Sequence, residues 1–196
     1  MTEGQEKKIR DKIQNIKSTL AAERRFHRGY YDDSRGLRYV PPELYLKIKD
    51  YKGASRYFNW FNKNFPDDAA YGVFWFEHAI SSFKNKKLEV AEKKIIQSFM
   101  DNDYLIDRFL DLSLKDRINN SYSRWNRETA TERFQYSYED REFYEFSNWL
   151  KDLIETPRFI KCTMEFVEIQ IELKTETVSK KRSALLDRAK KLLEDY

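Results

Sequence analysis

Between residues 5 and 31 the apolar positions Ile9, Ile13, Ile16 and Leu20 recur at spacings of four, three and four in an otherwise charged stretch. They form one stripe on a helix of 3.6 residues per turn, which predicts an amphipathic helix. Gly29, the Asp-Asp-Ser cluster at 32–34 and Gly36 then break the pattern, and Pro41-Pro42 open a helix over about 41–49. A Lys-Asp-Tyr turn separates it from a helix over about 51–64. After Pro66, with Asp67 and Asp68 as caps, a third helix of this group runs over about 70–84, and LEVAEKKIIQSFM makes a fourth.

Beyond residue 101 the pattern changes. NDYLIDRFLDLSL reads as a short helix, whereas residues 112–136 are polar and without period, the signature of a long loop or insertion. Helical spacing returns in the C-terminal helices of 137–196. Ser137 stands as a cap before REFYEFSNWLKDLIE, and Thr156 precedes Pro157 at the first position of RFIKCTMEFVEIQIELK. A last helix over about 179–194 carries Leu185, Leu186, Ala189, Leu192 and Leu193 on one face. The expected fold is all-α: eight or nine helices, no strand, and one domain over 1–196.

Within 36–103, Tyr45, Ala54, Phe58 and Pro66 stand at successive spacings of nine, four and eight. This resembles the second part of the tetratricopeptide repeat. A small residue lets two helices cross closely, an aromatic one turn later fills the groove on the same face, and proline ends the second helix. A second unit has Ala91, Ile95 and Asp103 in the corresponding places, with Ala79 for the tyrosine and three extra residues accommodated in the turn at 84–87. The first unit departs where Arg38, Pro41 and Pro42 replace tryptophan, leucine and glycine. The resemblance implies an α-solenoid fragment closed by extra N- and C-terminal helices, with a concave groove for a peptide or protein partner. Its groove residues would be Tyr45, Lys47, Lys49, Tyr71, Glu77, His78 and Ser81, whose basic members would favour an acidic segment.

Composition narrows the classes. Charged residues make up 36% of the chain, yet 37 basic against 33 acidic residues leave only +4, interleaved along the sequence, so nucleic acid is permitted and not demanded. A lone Cys162 excludes an internal disulfide, and two histidines with one cysteine do not make an ordinary zinc site. The N-terminus lacks the apolar core of a signal peptide and no run is long enough to span a bilayer, so the expected location is the cytoplasm. No phosphate-binding glycine loop, metal-ligand spacing or nucleophile elbow is present. The chain therefore reads as non-enzymatic, with no cofactor and no metal.

Two surfaces compete for function. Residues 23–39 hold the densest mixture of basic and aromatic side chains: Arg24, Arg25, Arg28, Arg35 and Arg38 with Phe26, Tyr30, Tyr31 and Tyr39. They would suit phosphates and stacked bases in a nucleic-acid-binding regulator, including one in a foreign-DNA defence or anti-defence pathway. The plainer reading pairs these arginines with Asp32, Asp33 and Glu43 and uses the rings as a cap. Tyr57, Phe58, Trp60, Phe61 and Phe65 span too much of a helix to share one face, which calls for neighbours on both sides. His78 and Cys162 read as structural side chains. A second copy covering an apolar end is the remaining expected partner.

Overall fold

Helix α1, Glu3–Phe26, starts with a capping box in which Thr2 and Gln5 satisfy each other's backbone N–H, and it buries Ile13, Ile16 and Leu20. It ends where Arg28 (φ 53°) and Gly29 (φ 106°) take left-handed conformations. The computed structural model describes residues 1–31, 33–118 and 122–196. Among these are nine further helices: α2 Pro41–Lys47, α3 Tyr51–Asn64, α4 Gly72–Lys84, α5 Leu88–Asp101, α6 Leu105–Phe109, α7 Ser123–Glu128, α8 Tyr144–Ile154, α9 Pro157–Thr175 and α10 Ser179–Asp195. No strand occurs among the described residues, and no helix is long and apolar enough to cross a membrane.

Packing follows chain order through the first half: α1 on α2, α2 on α3, α3 on α4 and α4 on α5. Helices α9 and α10 then cover α5, while α8 lies on α4. The consecutive aromatics of α4 explain why it sits at the centre, since three adjacent rings cannot share one face. Phe74 turns to Phe58 and Phe61 of α3. Trp75 gives its indole N–H to Ala69 O at 2.9 Å and lies under Lys94 of α5. Phe76 meets Phe109, Phe134 and Phe146. A helix apolar on every side has to be enclosed on every side.

Ala54 and Phe58 stand where α3 packs on α4. Both residues are fully buried, and Phe58 lies flat on the His78 ring at 3.9 Å between centroids. Thr156 caps α9 by accepting from Phe159 N, and Cys162 is buried. Some local expectations are corrected. Ser137 accepts from Glu139 N in a turn, and α8 starts later, at Tyr144. Asp67 is exposed, and Asp68 serves as a clamp rather than a helix cap: it accepts from Tyr39 Oη at 2.7 Å and Arg38 Nε at 2.8 Å. The N-terminal amide of α4, Gly72 N–H, is satisfied instead by the Asp101 carboxylate from the end of α5. Leu186 faces solvent, half exposed, so the apolar face of α10 is narrower than its sequence suggests.

The stretch 112–136, read from the sequence as a long loop or insertion, holds local helical structure among its described residues. It contains α7 and a π-helical turn, Thr129–Arg133, whose Ala130 is fully buried; residues 119–121 lie outside the described set. Its first part is tied down by Arg117, which donates bidentately to the buried Asp107 at 2.7 and 2.9 Å. Its continuation crosses α4. Phe134 packs edge-on against Phe76, and Tyr138 N donates to Phe109 O at 2.9 Å. Glu142 then engages Tyr51, Lys49 and Lys84.

Candidate functional site

The crossing segment touches the N-terminal half of α4 through Phe134 on Phe76 and Tyr136 on Glu77, and leaves a gap beside those contacts. Between them lies a cavity of about 450 Å³, walled by Tyr39 and Glu43 on one side, Tyr71 to Val73 and Glu77 below, and Trp125, Arg133 and Tyr136 above. That volume lies in the range of small-ligand and single-side-chain sites. The end of α5 supplies the remaining wall through Asp101 and Asn102.

Each wall is held by bonds that sequence proximity does not provide. Asn102 donates to Asn126 O at 3.0 Å and Asn126 returns a bond to Asp101 O at 2.9 Å, fixing α7 to the end of α5. Arg133 lies over the Trp125 ring at 4.5 Å. Tyr39, clamped by Asp68, stands edge-on to Tyr71 at 5.2 Å. Burial beside Asp68 pushes the Tyr39 phenol up to about 12.

Glu77 is the chemical centre of the cavity. The residue is only 3% exposed and accepts from Tyr136 Oη at 2.7 Å. Desolvation outweighs that bond and raises its carboxyl to about 8, with Glu43 raising it further and Lys47 opposing. At neutral pH the buried acid is therefore mostly protonated. Asp101, on the rim and open to solvent, is also raised by desolvation, against the opposing Gly72 N–H.

The residues assigned to a groove from sequence divide into three places. Tyr71 and Glu77 meet in the cavity. Tyr45 is buried between α2 and α3 against Tyr57. His78 and Ser81 face α3: His78 stacks on Phe58, and Ser81 Oγ lies 3.2 Å from Ser55 Oγ and from Tyr51 O. Burial holds His78 well below its ordinary range, hence neutral, with Nδ1 unpartnered. Lys47 is engaged by Glu43, and Lys49 reaches Glu142 at 2.6 Å. The cavity wall is consequently acidic, with Glu43, Glu77 and Asp101 against Arg133, the reverse of the basic groove that the lysines implied.

The arginine cluster also divides. Arg38 is structural: it lies over Tyr39 at 4.6 Å, donates to Asp33 and Asp68, and its carbonyl accepts from Tyr57 Oη at 2.7 Å. Arg35 faces Glu23 at 3.8 Å. Asp32, an expected arginine partner, lies outside the described residues, and Glu43 pairs with Lys47. Arg24 and Arg25 line an open groove of about 500 Å³ with Lys17, Tyr31 and Trp60, while Arg28 is exposed beyond it.

Sequence reasoning missed Trp125, Asn126, Arg133 and Tyr136. The available signal was the alternation in FQYSY, residues 134–138, which places rings at every second position as an extended segment does. Among the described residues no group of three or more His, Cys, Asp or Glu is arranged to hold a metal ion. No protein-family model, curated protein or solved structure matches the chain.

Proposed function

We propose that the chain is a non-enzymatic, tetratricopeptide-like scaffold or adaptor of the cytoplasm, which takes a short segment of a protein partner at the groove face of α2 and α4. The observation that carries this reading is the cavity joining Tyr71 and Glu77 to Trp125 and Tyr136. It is mixed in character, with aromatic walls and a few placed polar groups, as recognition sites are. Its size suits one anchoring side chain rather than a whole helix, so the remainder of a partner segment would lie across the exposed rim at Tyr71 and Trp125, 41% and 53% accessible.

The test is affinity capture from the source cell's lysate at moderate salt after nuclease treatment, using the full chain and a Tyr71→Ala, Trp125→Ala double variant. A protein retained by the first and lost by the second is expected. Retention unaffected by the double substitution removes the cavity from the interface.

A second reading rests on the open groove at Lys17, Arg24 and Arg25, where Tyr31 and Trp60 flank three cations. That combination fits a phosphate backbone with one stacked base. Binding there would weaken log-linearly with salt and vanish in Arg24→Ala, Arg25→Ala, whereas the aromatic cavity would be far less salt-sensitive.

A further inference from the structure

Three carboxyl groups, Glu43, Glu77 and Asp101, and four aromatic rings, Tyr39, Tyr71, Trp125 and Tyr136, share the walls of the one cavity. Its one basic lining residue, Arg133, is engaged over Trp125. Lys47 reaches Glu43 from the exposed side of α2, in an ion pair whose members are 46% and 34% accessible. Such a solvent-exposed pair is weak and exchanges readily for a better partner. Acidic groups within aromatic walls suit an organic cation: rings attract the charge through their faces, and carboxylates accept its N–H donors.

We propose that this cavity receives the guanidinium or alkylammonium head of an arginine or lysine of the bound segment, its N–H donors met by the Glu77, Glu43 and Asp101 carboxyls of the surrounding walls and its methylene stem against the rings. The assignment rests on the groove reading above.

Proton linkage follows. The groups facing Glu77 are Tyr136 from the crossing segment and Glu43 and Lys47 from α2, with Tyr71, Asp101 and Arg133 also around the cavity. A cation favours the ionised carboxylate, so its entry expels the Glu77 proton at pH below about 8. Cation affinity should then rise with pH between 6 and 8 by up to roughly tenfold per unit, the limit for release of one proton.

The experiment is backbone and indole N–H chemical-shift mapping of the full chain with Nα-acetyl-arginine methylamide, and with the glutamate analogue as control. Shifts at Gly72, Val73 and the Trp125 indole are expected with the arginine probe alone, strengthening from pH 6 to 8. Glu77→Gln should remove the pH dependence and weaken binding roughly tenfold, the usual effect of losing one charged hydrogen-bond partner. Glu43→Gln, on the rim, is the second variant should Glu77→Gln perturb the fold, and it should weaken binding several-fold.

Localised shifts from the glutamate probe instead would overturn the cation assignment and leave the groove reading standing. No shift from either probe, with lysate capture still sensitive to Tyr71→Ala, Trp125→Ala, would do the same. No shift combined with insensitive capture would overturn both.

Discussion

Glu77 and His78 are neighbours in sequence, both almost fully buried, and they face different sides of α4. His78 lies on the sealed side, flat against Phe58, with one ring nitrogen unpartnered. Glu77 lies on the side where the crossing segment leaves a cavity and supplies the Tyr136 hydroxyl. Desolvation keeps both neutral, one by lowering and the other by raising its titration. The same physical cost falls on two different settings: on the sealed side the ring acts as a flat hydrophobe, while on the open side a protonatable group lines the cavity.

The comparison breaks most violently if the crossing segment loses its seat. Phe76→Ala removes the ring that holds Phe134, Phe109 and Phe146 together. A loss of roughly 3–5 kcal/mol is expected from denaturant unfolding. The cavity should open with it, and lysate retention should fall in parallel.

Next in size is the pH response of Glu77. Its folded pKa is raised, so its contribution to stability is fully present below the ordinary 4.5 and is lost as pH rises through about 8. A shift of this extent corresponds to at most roughly 5 kcal/mol. Glu77→Gln keeps an acceptor for Tyr136 and should match the wild type near pH 4 while exceeding it by several kcal/mol near pH 9, on that same linkage. Urea midpoints across the range read this directly.

His78 should respond with the opposite sign. Its folded pKa is depressed, so the wild type loses stability as pH falls through 6.5. His78→Phe preserves a flat ring on Phe58, and the variant's unfolding midpoint should gain on that of the wild type as pH goes from 7 to 5. An unchanged difference would place a different group behind acid sensitivity. Smallest of all is Arg24→Ala, Arg25→Ala, Arg28→Ala on the exposed groove, expected to change stability by no more than about 0.5 kcal/mol per site. Thermal unfolding checks that figure.

The two sides of α4 also differ in how plainly the sequence announces them. The packing of α3 on α4 was readable because helical spacing makes a residue's face predictable: Ala54 and Phe58 fall four apart and both are buried. The tetratricopeptide resemblance put Tyr71 and Glu77 among seven groove residues, and in the structure these two line one cavity. Its register did not separate His78 and Ser81 from them, because neighbouring helical positions differ by only 100° and the direction of α3 relative to α4 is set by packing. The opposite wall was hidden. Tyr136 reaches Glu77 across 59 positions in sequence, and nothing local requires a polar, non-periodic stretch to cross a helix. The acidity of the site was misread for a related reason. Lys47 and Lys49 are taken up by Glu43 and Glu142, partners that only the folded chain identifies.

The central claim is that the crossing segment closes over α4 and keeps the Glu77 carboxyl out of water. The most direct measurement is the titration of that carboxyl carbon by NMR in the full chain, with Glu77→Gln to assign the resonance. A midpoint near 8 is expected, falling in a Phe76→Ala variant as the cavity opens. A wild-type midpoint near 4.5, the ordinary value, would mean that water reaches Glu77 freely, and would contradict the buried carboxyl at the floor of the cavity on which the functional reading depends.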